Sequence, residues 1–142
     1  MAIANKLNPY LSDLSVMFLK LHDLHWNVQG MQFVPVHLYT EARYDDMAMK
    51  LDAVAELIIM QGEKPVSTIK EYLELATVQE LGGRQYKDAE VIQIVMEDLA
   101  HLRAEAQEIH DSLADNFAVV AMMEEHIASY DKELWFLKSM LA

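Results

Sequence analysis

The chain has 142 residues, of which 53% are apolar and 24% are charged; this is enough for one folded domain with a buried core and excludes a disordered chain. Lys and Arg number 11 against 23 Asp and Glu, so the formal charge is −12, which disfavours DNA and other polyanions as partners and favours cations. Cysteine is absent, so disulfides, iron–sulfur clusters and thiolate metal sites are excluded, and a metal would be held by His, Asp or Glu.

Helical periodicity covers most of the chain and predicts an all-α fold. Long helices are expected over about residues 7–28, 36–61, 87–114 and 117–141, and the capping pattern of "STIKEYLELA" predicts a short helix between the second and third of them. A long link at that point is incompatible with a series of simple helical hairpins. The sequence therefore predicts one domain over residues 1–142, a ferritin-like four-helix bundle with a short extra helix in the crossover between helices 2 and 3.

Side chains that bind metals concentrate near the junction of the first two helices. His25 lies on the apolar stripe of the first helix and His37 begins the second, so antiparallel packing of the two helices would bring these imidazoles opposite one another. On a helical wheel, Glu41, Asp52 and Glu56 lie at about 40°, 60° and 100° from His37 and share its face. A solvated polar face is the alternative explanation of this stripe, and the nearby histidines favour a metal site over it.

The spacing on the second helix indicates how such a site would be completed. Asp52 lies roughly 20 Å beyond His37 along the helix axis, so the two cannot bind one ion within a single chain. If two copies of the second helix pair antiparallel about a two-fold axis, Asp52 and Glu56 of one subunit come level with His25 and His37 of the other. The prediction is a metal site shared across a dimer interface and present twice per dimer.

The remaining histidines are weaker candidates for ligands. For His22 we favour a buried ring bonded to a backbone carbonyl over a metal ligand. His101 follows Asp98 at ligand spacing, but a di-iron site inside the bundle would need two Glu-x-x-His pairs and two further Glu, which the sequence does not supply. His110 and His126 have no partner pattern and are expected at the surface.

The run "LHDLHWNVQGMQFVPVHLYTEARYDDMAMKLDAVAELIIMQGEKPVSTIKEYLE" resembles the Dps family, the miniferritins named for DNA protection during starvation. The elements H-W-x-x-x-G and D-x-x-x-E stand at the family's spacing, and helical equivalence extends over essentially the whole chain. The residues that carry the resemblance are His25, Trp26, Gly30, Phe33, His37, Asp52 and Glu56.

This resemblance implies iron storage and detoxification. The family forms a hollow dodecameric shell that oxidises iron(II), preferably with hydrogen peroxide, and stores the ferric mineral, which protects the cell from oxidative damage. The implied catalytic ligands are His25, His37, Asp52 and Glu56, at a ferroxidase site between two-fold-related subunits. Glu41 is a further implied metal ligand, one methylene longer than the Asp of many members. Iron is the implied metal, and the same ligand types accept zinc.

Expectations about partners and location follow from charge and from the chain ends. The implied iron-entry pores would be lined by some of the acidic residues near the start of the last helix, namely Asp111, Asp115, Glu124 and Glu125. Neither end carries a Lys- or Arg-rich tail, so direct DNA binding is not expected. The sequence lacks a signal peptide and a long apolar run, which predicts a cytoplasmic protein without a membrane segment. Two alternatives stay open: a zinc-binding or salt-bridged helical assembly without redox turnover, and a DNA-compacting protein.

Overall fold

The computed structural model describes residues 2–142, which form four long helices and one short helix. The elements are α1 (Ala4–Asn27), β1 (Val28–Gln29), α2 (Phe33–Met60), α3 (Ile69–Leu75), β2 (Tyr86–Lys87), α4 (Asp88–Ser112) and α5 (Phe117–Leu141). Helix α1 packs along α2, α4 packs along α5, and contacts between α1 and α4 join the two pairs. The predicted all-α bundle, with a short helix in the crossover between the second and third long helices, is confirmed. Within residues 2–142, no helix combines the length and apolarity needed to cross a membrane.

Helices α1 and α2 each begin before the predicted position. The backbone N–H groups of Ile3 and Ala4 donate to the Glu63 carboxylate, at 2.9 Å each, so a side chain distant in sequence satisfies the free N–H groups at the start of α1. In α2, Pro35 lies in the first turn, where backbone N–H groups have no partner within the helix, so the proline costs no hydrogen bond there.

The crossover between α2 and α4 is held by side chains that cap and anchor it. Thr68 caps α3: its Oγ1 accepts from the Glu71 N–H at 3.2 Å, and the Glu71 carboxylate accepts from the Ser67 N–H at 3.2 Å. Thr68 is thus the N-cap that the sequence indicates, and Glu71 reaches back to the residue before the cap, which is a variant of the capping box. Beyond α3, the Asp13 carboxylate of α1 accepts the backbone N–H of Thr77 at 2.6 Å, which holds the crossover against the bundle.

A parallel pair of two-residue strands closes the crossover beside the end of α1, and the sequence analysis missed it. Val28 pairs with Tyr86 and Gln29 pairs with Lys87. Gly30 follows with φ 131°, a conformation that favours glycine, and a Cβ at this position would collide with the Asp88 carboxylate. Because that carboxylate also accepts the Gln32 N–H at 2.9 Å, the glycine of the H-W-x-x-x-G element allows the loop to lead directly into α2.

The centre of the bundle contains a polar network, and the expected surface position of His126 is wrong. His126 is 5% exposed, and its Nδ1 lies 2.8 Å from the Tyr10 hydroxyl, which is 2.5 Å from the Tyr130 hydroxyl. The physical reason is visible in the sequence, because His126 falls on the buried stripe of α5 between Met123 and Tyr130.

Candidate metal centre

His25 and His37 lie side by side at the junction of α1 and α2. His25 occupies the last turn of α1 and is 5% exposed, and His37 lies just after the first turn of α2. The two imidazole rings stack with their centroids 3.7 Å apart and their planes inclined by 12°. The structure therefore brings together the two histidines that flank the connecting loop in the sequence.

The hydrogen bonds of these two rings define which nitrogen carries the proton. His25 Nδ1 lies 2.6 Å from the main-chain oxygen of His37, and His37 Nδ1 lies 2.8 Å from the main-chain oxygen of His25. Because a carbonyl oxygen accepts only, each Nδ1 is the donor and carries the hydrogen. A neutral ring of this form has an unprotonated Nε2, which is the atom available to a metal. The reciprocal bonds therefore leave two Nε2 lone pairs free.

The surrounding side chains fix the orientation of these rings. Thr40 Oγ1 lies 3.2 Å from His25 Nδ1 and donates to main-chain oxygens of its own helix. His22 makes the predicted bond to a backbone carbonyl, since its Nδ1 donates to the main-chain oxygen of Phe18 at 2.8 Å, but the residue is half-buried and not buried as expected. The His22 ring also stacks on Tyr44 at 3.8 Å between centroids. The sequence analysis missed the positioning roles of Thr40 and Tyr44, although both follow His37 at helical spacing on α2.

Asp52 and Glu56, the carboxylates predicted to complete the site, are not close to the histidines within one chain, whereas Glu41 lies one turn after His37. Glu41, Asp52 and Glu56 are all exposed on α2. Asp52 is fifteen residues beyond His37 on one unbroken helix, which separates them by roughly 20 Å. The structure thus places His25 and His37 at the junction of α1 and α2 and places Asp52 and Glu56 further along α2.

Large apolar side chains lie beside these carboxylates on the exposed surface of α2. Leu38 is 54% exposed and Met49 is 73% exposed. Ile59, just beyond Glu56, is also exposed. Several large apolar side chains exposed on one helix are typical of a protein interface.

The acidic residues expected at the iron-entry pores lie where α4 ends and α5 begins. Asp111, Asp115, Glu124 and Glu125 are all exposed. His110, expected at the surface without a partner, is half-buried and bonds to two of them: its Nδ1 lies 3.0 Å from Asp111 Oδ1 and its Nε2 lies 3.2 Å from Glu124 Oε2. These hydrogen bonds raise the pKa of His110 above its usual value.

A second group of potential ligands lies away from α2, and the sequence analysis missed it. Among residues 2–142, Asp13, His101 and Glu105 bring ligand atoms within 4.8 Å of one another. The sequence analysis considered His101 with Asp98, but Asp98 forms an ion pair with Lys20 at 2.7 Å. The signal available in the sequence was the i, i+4 spacing of His101 and Glu105, whereas the approach of Asp13 from α1 requires the tertiary structure.

Comparison with known proteins first defines the class of this fold. A family model described as a ferritin-like domain matches residues 4–142. The crystal structure of a Dps protein from Vibrio cholerae O1, described as a member of a broad superfamily of ferritin-like diiron-carboxylate proteins, superposes with a TM-score of 0.93 at 25% identity. The superposition covers 99% of this chain and 89% of that chain. The four-helix bundle is thus a ferritin-like domain.

Two further comparisons identify the family within this class. The DNA protection during starvation protein 2 of Bacillus anthracis is 32% identical over 142 residues, covering 95% of this chain and 93% of the relative. The crystal structure of a Dps protein from Bacillus brevis is 30% identical with a TM-score of 0.93, covering 99% of this chain and 95% of that chain. The chain therefore belongs to the Dps family, as the resemblance in its sequence indicates.

Proposed function

We propose that this protein is an iron-storing miniferritin that oxidises iron(II) at a site shared by two subunits. The observation that carries the proposal is the stacked pair of His25 and His37, whose Nδ1 atoms are both engaged by main-chain oxygens and whose Nε2 atoms are free. Neutral imidazole is a suitable ligand for iron(II). The buried position of His25 lets it hold an ion with little competition from water.

Asp52 and Glu56 of the partner subunit complete the proposed site. Antiparallel pairing of two α2 helices, centred near residue 45, brings residues 52–56 of one helix level with residue 37 of the other. The exposed apolar side chains Leu38 and Met49 on α2 support such an interface. Each two-fold contact then creates two equivalent sites.

The ligand set suits the oxidation of iron(II). Carboxylates are hard oxygen ligands that favour iron(III) over iron(II), so Asp52 and Glu56 promote loss of an electron while the histidines retain the incoming ion. Two iron(II) ions supply the two electrons that, with two protons, convert one hydrogen peroxide to two waters. No hydroxyl radical is released, which is the protective effect. Glu41, one turn after His37, is the proposed ligand of a second iron position.

The assembly we propose is a dodecameric shell that retains the ferric product. The acidic residues around the α4–α5 junction, including Asp111 and Glu124, attract iron(II) to its entry routes. The formal charge of −12 opposes direct binding to DNA at physiological salt, so protection acts through removal of iron and peroxide.

A non-redox assembly that binds zinc at the same ligands is the second candidate. Imidazole and carboxylate accept both ions, so the stacked histidines support either metal. The two candidates differ in turnover, because only a ferroxidase oxidises added iron(II) and retains the product.

The test is to add iron(II) anaerobically to metal-free protein, then supply peroxide or oxygen in separate reactions and follow the ferric absorbance. Size-exclusion chromatography then reports whether iron elutes with the protein and how large the assembly is. Fast oxidation with peroxide and co-elution of iron with a large shell would support the proposal. Uncatalysed oxidation, with iron precipitating away from the protein, would favour the zinc-binding or purely structural alternative.

Variants of the histidines make this test specific. The double substitution His25→Ala with His37→Ala is expected to slow oxidation while leaving the shell assembled. Asn27→Ala is the matched control, because Asn27 lies in the same last turn of α1 as His25 and its side chain bonds to Asp23 of its own helix. Normal oxidation in the double variant would refute the assignment of these ligands.

A further inference from the structure

A second cluster of metal-ligand side chains lies between α1 and α4, on residues that the proposed two-fold site does not use. His101 Nε2 is 3.5 Å from Glu105 Oε1 and 3.7 Å from Asp13 Oδ2. Ligand atoms around a tetrahedral zinc ion, each about 2.0–2.2 Å from the metal, lie roughly 3.3 Å from one another. The three side chains are therefore close to the spacing that one ion requires.

Asp13 is the fixed member of this cluster. Its side chain is fully buried, and its carboxylate accepts the backbone N–H groups of Thr77 and Val78 at 2.6 and 2.8 Å and the Thr77 hydroxyl at 2.6 Å. Since the Thr77 hydroxyl donates to Asp13, its oxygen accepts from His101 Nε2 at 2.7 Å. These bonds hold the carboxylate in one orientation before any ion arrives, which lowers the cost of organising a site.

Glu105 is the member of the cluster whose surroundings favour a bound cation. Its Oε1 is buried and has no hydrogen-bond partner among the described residues, although it faces a carboxylate and an imidazole nitrogen. Two carboxyl groups that face each other in a buried place require either a shared proton or a positive ion between them. Without a metal, burial and the neighbouring Asp13 raise the pKa of Glu105 to about 9, so that it holds a proton at neutral pH.

We propose that Asp13, His101 and Glu105 form a second divalent transition-metal site, contained within one subunit and separate from the site at His25 and His37. One imidazole and two carboxylates suit zinc(II) or iron(II), and a three-residue set leaves a coordination position for water. The ion enters through a surface cleft of about 510 Å³ that is lined in part by His101 and Glu105. On binding, it displaces the proton of Glu105, and His101 binds it through Nε2 in the neutral ring form that carries its hydrogen on Nδ1.

Such an ion would fasten the crossover to the bundle. Asp13 already binds the backbone at Thr77 and Val78, and the ion would join that anchor to α4. The site needs no residue of another subunit, so it does not depend on the proposed ferroxidase function and survives if that proposal fails.

The test counts zinc bound per chain after equilibrium dialysis against zinc chloride at neutral pH. The starting protein is the assembled His25→Ala/His37→Ala variant, which removes the proposed two-fold site. We expect it to retain one zinc per chain, and we expect that zinc to be lost when His101→Ala or Glu105→Gln is added. Glutamine imitates the protonated carboxyl group and can donate to Asp13, so Glu105→Gln is expected to keep the fold intact.

Glu97→Gln is the matched control, because Glu97 is an exposed carboxylate on α4 that bonds only to Gln93 among its neighbours on that helix. Hydrogen exchange at the amides of Thr77 and Val78 provides a local readout, and zinc should slow it in the starting variant but not after Glu105→Gln. The proposal is overturned if the starting variant retains no zinc. It is equally overturned if His101→Ala and Glu105→Gln leave the zinc count unchanged, or if Glu97→Gln lowers it as much as they do.

Discussion

The imidazoles of His25 and His37 stack 3.7 Å apart, and each donates its Nδ1 hydrogen to the main-chain oxygen of the other residue. This reciprocal arrangement ties the end of α1 to the start of α2 and selects the ring form that binds metals. The same two hydrogen bonds therefore hold the helices together and leave each Nε2 able to bind a metal. A histidine is buried at the end of α1 because its polar atom is satisfied there by backbone.

The carboxylate half of the proposed site can be tested with a ligand substitution on α2 and a control substitution on another helix. Asp52→Asn should slow peroxide-driven iron oxidation by at least roughly ten- to hundredfold, because the loss of a direct ligand should cost no less than the loss of a group that only supports one. Glu97→Gln is the control, since Glu97 is an exposed carboxylate on α4 and lies outside the proposed α2–α2 interface. Stopped-flow ferric absorbance measures both, and equal slowing by the two variants would mean that general charge, not a specific ligand, controls the rate.

Gly30 should tolerate no side chain. Its φ of 131° and the contact that a Cβ would make with Asp88 predict that Gly30→Ala lowers the free energy of unfolding by more than about 1 kcal/mol. Gly82 has open space around it, so Gly82→Ala should be neutral or slightly stabilising. Denaturant unfolding of both variants compares them directly, and an unaffected Gly30→Ala protein would remove the role assigned to this loop.

His126 should make stability depend on pH in the mildly acidic range. Burial, with a smaller effect of Lys50 and against the opposing effect of Asp46, lowers the pKa of His126 from 6.5 to about 4. Between these pH values the unfolded chain binds a proton at His126 and the folded chain does not. The free energy of unfolding is therefore unaffected by this histidine above pH 6.5 and falls as the pH drops towards 4. The loss contributed by His126 should be on the order of 3 kcal/mol.

The variant His126→Gln isolates that contribution. Glutamine keeps a polar atom near the Tyr10 hydroxyl but does not titrate, so its unfolding free energy should vary less between pH 6.5 and 4 than that of the unmodified protein. Urea unfolding at several pH values measures the difference. Parallel curves for the two proteins would show that other groups cause the acid sensitivity.

The parts of the fold that could be predicted are those with a local cause. Apolar periodicity placed the four long helices, and the Thr68–Glu71 pair marked the short one. Adjacency in the chain was enough to expect His25 beside His37, because a short loop forces the two helices together. The burial of His126 also has a local cause, because His126 lies on the apolar stripe of α5 between Met123 and Tyr130.

The parts that could not be predicted depend on contacts between distant segments. The cap that Glu63 forms on α1 and the pairing of Val28 with Tyr86 leave no local pattern. The same holds for Asp13, whose meeting with Glu105 depends on how α1 packs against α4. The proton positions on His25 and His37 also required the structure, since they follow from main-chain oxygens across the loop.

The most direct test of the central claim, that each site is built from two subunits, is the activity of mixed assemblies. Subunits carrying His25→Ala and His37→Ala would be co-assembled in equal amounts with subunits carrying Asp52→Asn and Glu56→Gln, and peroxide-driven iron(II) oxidation would be measured. In each mixed dimer, one of the two sites has intact histidines from one subunit and intact carboxylates from the other. Random pairing of equal amounts makes about half of the two-fold dimers mixed, so about one quarter of the unmodified rate should return. A mixture no more active than its two inactive parents would contradict a site shared across the two-fold interface.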